Sequence, residues 1–185
     1  TGLKLFKEHS LEIKYVGKPP VSKSPPWEAG IIWDEDSNGN HWVGIACQSK
    51  GGHIWFPSKS NPNDKAEGAE IKITVPKPLK VVSNGLLKSI EPSSGYWHTW
   101  VWETNYPISS YNINFTIGDF KEVKRTGYIL DKPLKMIFYT LSNDTNKDIE
   151  LLKSAEEYLS FYAGLFGQYP WIQEKFGIVQ TPYWG

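Results

Sequence analysis

The residues of this chain whose types could do chemistry are four histidines, one cysteine, a short acidic cluster and one amide on a glycine-rich loop. A water-activating zinc site needs two His one helical turn apart, with a Glu beside them as general base. His9, His41, His53 and His98 lie too far apart to pair in this way. They read as loop or strand-edge residues, so this stretch is expected to carry neither metal ligands nor catalytic residues. Cys47 is the single cysteine, which excludes an internal disulfide and a cysteine-based zinc site. It reads as a small buried hydrophobe at a strand end. No Gly-x-Ser-x-Gly elbow occurs, and Gly51-Gly52 precedes no helix that could bind phosphate. Asp34, Glu35 and Asp36 match no calcium-loop spacing and read as a solvated turn. What remains is recognition chemistry. Gln48 opens the loop Gln48-Ser49-Lys50-Gly51-Gly52, between the apolar run ending at Cys47 and the step Trp55-Phe56-Pro57. Glycine and proline fix such a loop, and a fixed loop can present a side chain at one place. On its own residues Gln48 is either that or an ordinary polar loop residue.

The elements that would position these residues are mostly strands. Leu11 to Val16, Glu70 to Val75, Trp97 to Glu103 and Asn112 to Ile117 alternate apolar and polar side chains. Ile31-Ile32-Trp33 and Trp42-Val43-Gly44-Ile45 flank Asn38-Gly39, a strong hairpin signal. Lys80 to Asn84, Lys121 to Arg125 and Lys135 to Thr140 add short strands, and the prolines between Gly17 and Trp27 mark an extended connector. Near residue 144 the period changes. Thr145-x-x-Asp148 reads as a capping box, and Leu151, Leu152, Ala155, Tyr158, Leu159, Tyr162, Leu165 and Phe166 recur at helical spacing up to Gly167. The apolar face of this helix is wider than the flank of a β-domain would cover. Phe176 to Val179 is a further strand. The expected fold is mainly β: an antiparallel sandwich or saddle-like sheet domain with one long C-terminal α-helix, divided near residue 143.

Gln48, Trp55-Phe56-Pro57, Pro62-Asn63-Asp64-Lys65 and the strand after them resemble, in order, the N-terminal β-domain of the membrane alanyl aminopeptidases. These are the gluzincin zinc aminopeptidases of peptidase family M1. Val81 to Gly85, Tyr106 to Tyr111 leading to Gly118-Asp119-Phe120, and Phe176 to Gly185 fit the same family, so the resemblance covers most of the chain after residue 40. It implies that residues 1–143 are the later part of the β-domain. Residues 144–185 would be the opening helix and strand of a metallopeptidase catalytic domain.

By the same resemblance, Gln48 accepts a hydrogen bond from the free α-ammonium group of a peptide, which a carboxamide oxygen can do without a charge of its own. Gly185 would open the Gly-x-Met-Glu-Asn motif whose backbone lies beside the substrate. The implied cofactor is zinc, held elsewhere in the parent protein, and the implied partner is a peptide N-terminus. The stretch would not be catalytic alone. Ser58-Lys59-Ser60-Asn61-Pro62 stands where many family members have Cys-x-Asp-Glu-Pro, which leaves the subgroup and its specificity open.

Composition narrows the alternatives. Twenty basic residues balance twenty acidic ones, and no long basic run occurs, which argues against a nucleic-acid partner. No run of membrane-spanning length and no signal peptide is visible in a chain that reads as beginning and ending inside longer elements. A hydrophobic fraction of 39% supports a real core. Nine Trp, ten Tyr and eight Phe leave room for a second reading, a non-catalytic β-sandwich module binding carbohydrate or protein. A zinc-less scaffold with the same fold is a third.

Overall fold

The computed structural model describes residues 7–47, 51–61, 63–141 and 143–183. Strands β1 (Gly30–Glu35) and β2 (His41–Ala46) form the hairpin that Asn38-Gly39 signals. Asp36 is the staple of its turn. One carboxylate oxygen accepts from the backbone N–H of Asn38 at 2.8 Å and of Asn40 at 2.9 Å, and the other from the Asn40 amide at 3.0 Å. The expected solvated acidic turn is therefore corrected at Asp36, which is buried because the turn's own donors surround it.

β3 (Ala69–Pro76), β4 (Lys80–Ser83), β5 (Leu86–Pro92), β6 (Trp97–Thr104) and β7 (Phe115–Gly118) follow. β8 (Lys121–Ile129) and β9 (Lys132–Thr140) come next, then helix α1 (Thr145–Phe166) and β10 (Phe176–Val179). They make a four-stranded sheet in the order β1-β2-β7-β4 and two three-stranded sheets, β3-β6-β5 and β10-β9-β8. All pairings are antiparallel except β10 on β9. The chain is thus mainly antiparallel β with one long helix near its C-terminus, as its periodicity implies.

Two departures have clear causes. Leu11 to Val16 forms no strand; Leu11, Ile13, Tyr15 and Val16 are exposed. Alternation only proposes a strand, and a strand needs a hydrogen-bonding neighbour that this segment lacks among the described residues. Residues 112–114 are not β either. A short 3₁₀ turn, Ser110–Asn112, precedes β7, which starts at Phe115.

All three sheets contribute to one core, centred on Trp42, Val81, Trp102, Phe120 and Tyr139. Trp102 Nε1 donates to Val81 O at 3.1 Å and so ties β6 to β4, while Lys80 Nζ donates to Phe120 O, in the β7–β8 connection, at 2.6 Å. A second core lies between the third sheet and α1, built on Ile129, Leu134, Met136 and Leu152. Gly127 allows the helix to come this near, since a Cβ there would lie 2.6 Å from Met136 Sδ and 3.0 Å from the Glu156 carboxyl carbon. Glu156 accepts from Arg125 through Nε at 2.9 Å and through Nη2, and from the Tyr128 N–H at 2.8 Å.

The helix N-cap is Asp144, whose carboxylate accepts from Lys147 N at 3.2 Å, one residue before the expected cap at Thr145. Aspartate at the N-cap satisfies a free amide and complements the helix dipole. Gly167, at φ 91°, ends the helix. α1 buries Leu152 and Ala163, while Tyr158, Phe161, Tyr162, Leu165 and Phe166 remain exposed. Its apolar face does exceed what β8 and β9 cover.

Candidate functional site

Gln48 and Gly185, the two residues expected to touch substrate, lie outside the described residues, as do Ser49, Lys50 and Trp184. What borders them is well defined. The Gly51 N–H donates to Cys47 O at 2.9 Å, so the ends of the 48–50 loop are tied together. Cys47 follows β2, is buried as expected, and has its thiol pushed up by burial, which keeps it protonated and unreactive.

Beyond Gly51 a 3₁₀ turn, Gly52–Ile54, runs against the 110–112 turn. Gly52 is required there because a Cβ would lie 2.4 Å from Ser110 O and 2.6 Å from the Phe56 ring. Trp55 then packs edge-on against Phe56 at 4.7 Å and Phe115 at 5.2 Å between ring centroids. The Trp-Phe-Pro step is therefore an aromatic anchor that fastens the far side of the Gln48 loop to β7.

The approach to Gly185 is fixed just as firmly. Gln180 N donates to Tyr139 O at 2.9 Å, and its side-chain oxygen accepts from Thr140 Oγ1 at 3.0 Å and Leu141 N at 2.7 Å. Tyr183 meets Trp42 of β2 edge-on at 5.6 Å. Burial raises the Tyr183 phenol above its ordinary value, and the Asp34 charge adds to that. Trp42 lies over two glycines: a Cβ on Gly44 would come 2.4 Å from its ring, and one on Gly118 3.2 Å. The sheet that ends at the Gln48 loop thus also seats the segment that leads to Gly185.

Beside the 110–112 turn opens a cleft of about 670 Å³, lined across from it by the segment between α1 and β10, with Tyr106, Tyr111, Asn114 and Trp171 on its walls. At its floor sits a pair that the sequence did not single out. Lys175 Nζ donates to Ser83 O at 2.8 Å and to Gly85 O, and lies 4.5 Å from the centre of the Trp102 ring. Glu174 accepts from Asn105 N at 2.8 Å and Thr104 Oγ1 at 3.2 Å. Burial lowers the Lys175 ammonium to about 8, against a smaller opposing pull from Glu174. Two adjacent opposite charges just ahead of the apolar β10 were the only sequence signal for this pair.

Among the described residues, no group of three or more His, Cys, Asp or Glu could hold a metal ion. His41 is near the exposed Glu35, at 3.7 Å, and His53 stands in the 52–54 turn. The described part of the chain therefore does not fit a zinc ion. Among the described residues, no helix is long and apolar enough to cross a membrane.

The fold has clear counterparts. The M1 zinc metallopeptidase from Deinococcus radiodurans superposes with a TM-score of 0.67 at 16% identity, over 91% of this chain and 37% of that one. A two-domain M1 zinc metallopeptidase, solved as a point mutant bound to L-arginine, gives 0.69 at 17% identity, over 91% of this chain and 38% of that one. No family profile and no curated protein matches the sequence. The chain spans under two-fifths of the length of each structure and shares their fold over that part.

Proposed function

We propose that this chain is part of an M1-type zinc aminopeptidase and forms one wall of the pocket for the substrate's amino terminus. The observation that carries this reading is the coincidence of two independent likenesses. The fold of M1 zinc metallopeptidases runs through 91% of the chain. The Gln48 loop, its Trp-Phe-Pro anchor and the approach to Gly185 follow the order of motifs of the same family. Residues 1–143 would be the later part of the β-domain, and residues 144–185 the start of the catalytic domain. The exposed aromatic face of α1 supports that division, because a monomeric domain rarely leaves so large an apolar patch uncovered. β10 pairs with β9, so the division falls between elements while one sheet continues across it.

In this reading Gln48 accepts a hydrogen bond from the substrate ammonium and the Gly185 backbone lies along the peptide. What supports this reading is that the described neighbours are anchored, Cys47 to Gly51 by a backbone hydrogen bond and Tyr183 against Trp42. Zinc, supplied by residues outside this chain, would activate the attacking water. This stretch alone would not hydrolyse peptides.

The test is Gln48→Ala in the longer protein. A hydrogen bond to a charged group contributes about 1.5–3 kcal/mol, so kcat/KM for aminoacyl substrates should fall roughly ten- to a hundredfold, mainly through KM. An absence of zinc-dependent aminopeptidase activity, or a Gln48→Ala variant with wild-type kcat/KM, would overturn the proposal. Exposed Trp27 and Trp33 favour a second reading, a carbohydrate-binding surface. Quenching of Trp fluorescence by oligosaccharides, lost on Trp33→Ala, would support it over the first.

A further inference from the structure

Lys175 is an unusual residue to find half-buried. Its ammonium meets no carboxylate within bonding distance among its described contacts, only two backbone carbonyls and the face of Trp102. Burying a charge in this way is costly. The depressed pKa shows that the cost is felt: the folded state binds the proton less readily than the unfolded chain does. Stability should therefore rise with pH from about 8 towards the ordinary lysine value of 10.5, as the neutral amine becomes the common form. Lys175 is thus a poor device for stability alone.

What it does provide is position. The backbone carbonyls of Ser83 and Gly85 bracket the β4–β5 turn, and the neighbouring Glu174 grips the end of β6 through Asn105 and Thr104. Gly85 itself, at φ +72°, packs its backbone directly against β6, since a Cβ there would lie 1.9 Å from Glu103 O. Two consecutive side chains therefore take hold of two different strand ends, immediately before β10.

We propose that Glu174 and Lys175 are positioning residues: together they fix where β10, and the 180–183 segment it leads into, sits against the sheets of the β-domain, and so set the geometry of the proposed amino-terminus pocket. The pocket half of this statement rests on the proposed function; the clamp itself does not. The ammonium donates to two carbonyls that flank the β4–β5 turn, and the carboxylate accepts from two donors at the end of β6.

Hydrogen exchange on the 185-residue chain tests the clamp, with each substitution read at a bond made elsewhere. Lys175→Met should lower protection of the Asn105 amide, which is bonded to Glu174, at least tenfold. Glu174→Ala should lower protection of the Asn114 amide, which is bonded to Asn84 between the two Lys175 anchors, to a similar extent. Glu174→Gln keeps an acceptor oxygen and should hold Asn114 near wild type. The Gln180 amide, bonded to Tyr139 at the head of the 180–183 segment, should lose protection in Lys175→Met and Glu174→Ala and keep it in Glu174→Gln. Unchanged Asn105 and Asn114 protection would overturn the clamp; if one variant fails to fold, the other decides.

In the longer protein, Lys175→Met should lower kcat/KM for an aminoacyl substrate at least tenfold. A loosened clamp with wild-type kcat/KM would overturn the positioning role. A wild-type protein without zinc-dependent activity would instead overturn the proposed function and leave the exchange result standing.

Discussion

Replacing Gly44 by Ala should weaken this fold through one side chain, Trp42. Gly44 has a backbone conformation open to any residue, so the substitution introduces no backbone strain and by itself would stabilise by about 0.4–1 kcal/mol through the unfolded chain. The new methyl, however, would sit 2.4 Å from Trp42 Cη2 and 2.8 Å from Cζ3, well inside contact distance. The indole has little room to withdraw. It is 2% exposed, Tyr183 stands edge-on against it, and the Gly118 backbone lies beneath. Its N–H has no acceptor among the described residues, so shape alone holds the ring.

Overpacking of this kind costs about 1–3 kcal/mol. Set against the entropic gain, the net loss should be about 1–2 kcal/mol. For a chain of this size that lowers Tm by roughly 2–8 °C. Urea unfolding followed by Trp fluorescence should show a lower midpoint at unchanged m. The clashing atoms all belong to the six-membered ring of the indole, which Phe does not place there. In a Trp42→Phe background the Gly44→Ala penalty should therefore disappear, a coupling of about 1–2 kcal/mol. A stable Gly44→Ala variant, or an undiminished penalty in the Phe background, would refute this account of how Trp42 is seated.

Three further substitutions probe the helix. Glu156→Gln should cost about 1–2 kcal/mol near neutral pH, because the carboxylate receives the Arg125 guanidinium and the Tyr128 N–H. Burial alone would raise the Glu156 pKa, but those partners bring it below the ordinary 4.5; the stabilisation is therefore present above pH 4.5 and fades as pH falls through the lowered value, so urea midpoints of wild type and variant should converge in acid. Leu152→Ala, at a fully buried position on the inner face of α1, should cost about 2–5 kcal/mol, whereas Tyr158→Ser, 68% exposed on the outer face, should change stability by less than about 0.5 kcal/mol.

Local signals in the sequence were read where a single residue type enforces the geometry. Asn38-Gly39 gave the β1–β2 hairpin, Gly167 the end of α1, and the period of Trp100 and Trp102 the inner face of β6. The β8–β9 hairpin shows the converse. Its two-residue turn is Leu130-Asp131, both at positive φ, 46° and 63°. Neither residue announces such a turn, which is ordinarily built from Asn and Gly, so both strands run further than their patterns suggest. Pro133 is tolerated near that turn, where β8 is the one neighbour β9 has. β5 escaped notice because it buries almost nothing and carries a register shift between Leu87 and Ser89.

The candidate site divides along the same line. The anchors that flank the 48–50 loop were legible because they are close in sequence: Cys47 and Gly51 are tied together, and Trp55 packs on Phe56 and on Phe115 of β7. The clamp at Glu174-Lys175 was not. Its bonds span separations of 92 and 90 residues for Lys175, and 70 and 69 for Glu174. Within the sequence these are two surface-type charges next to each other, with no periodic partner. Only the fold turns Lys175 inward onto Trp102, where burial lowers its ammonium to about 8. Here the carbonyls it satisfies belong to the β4–β5 turn, while its own backbone leads directly into β10. That connection makes the pair a determinant of where the 180–183 segment lies, and it is visible only once the strands are in place.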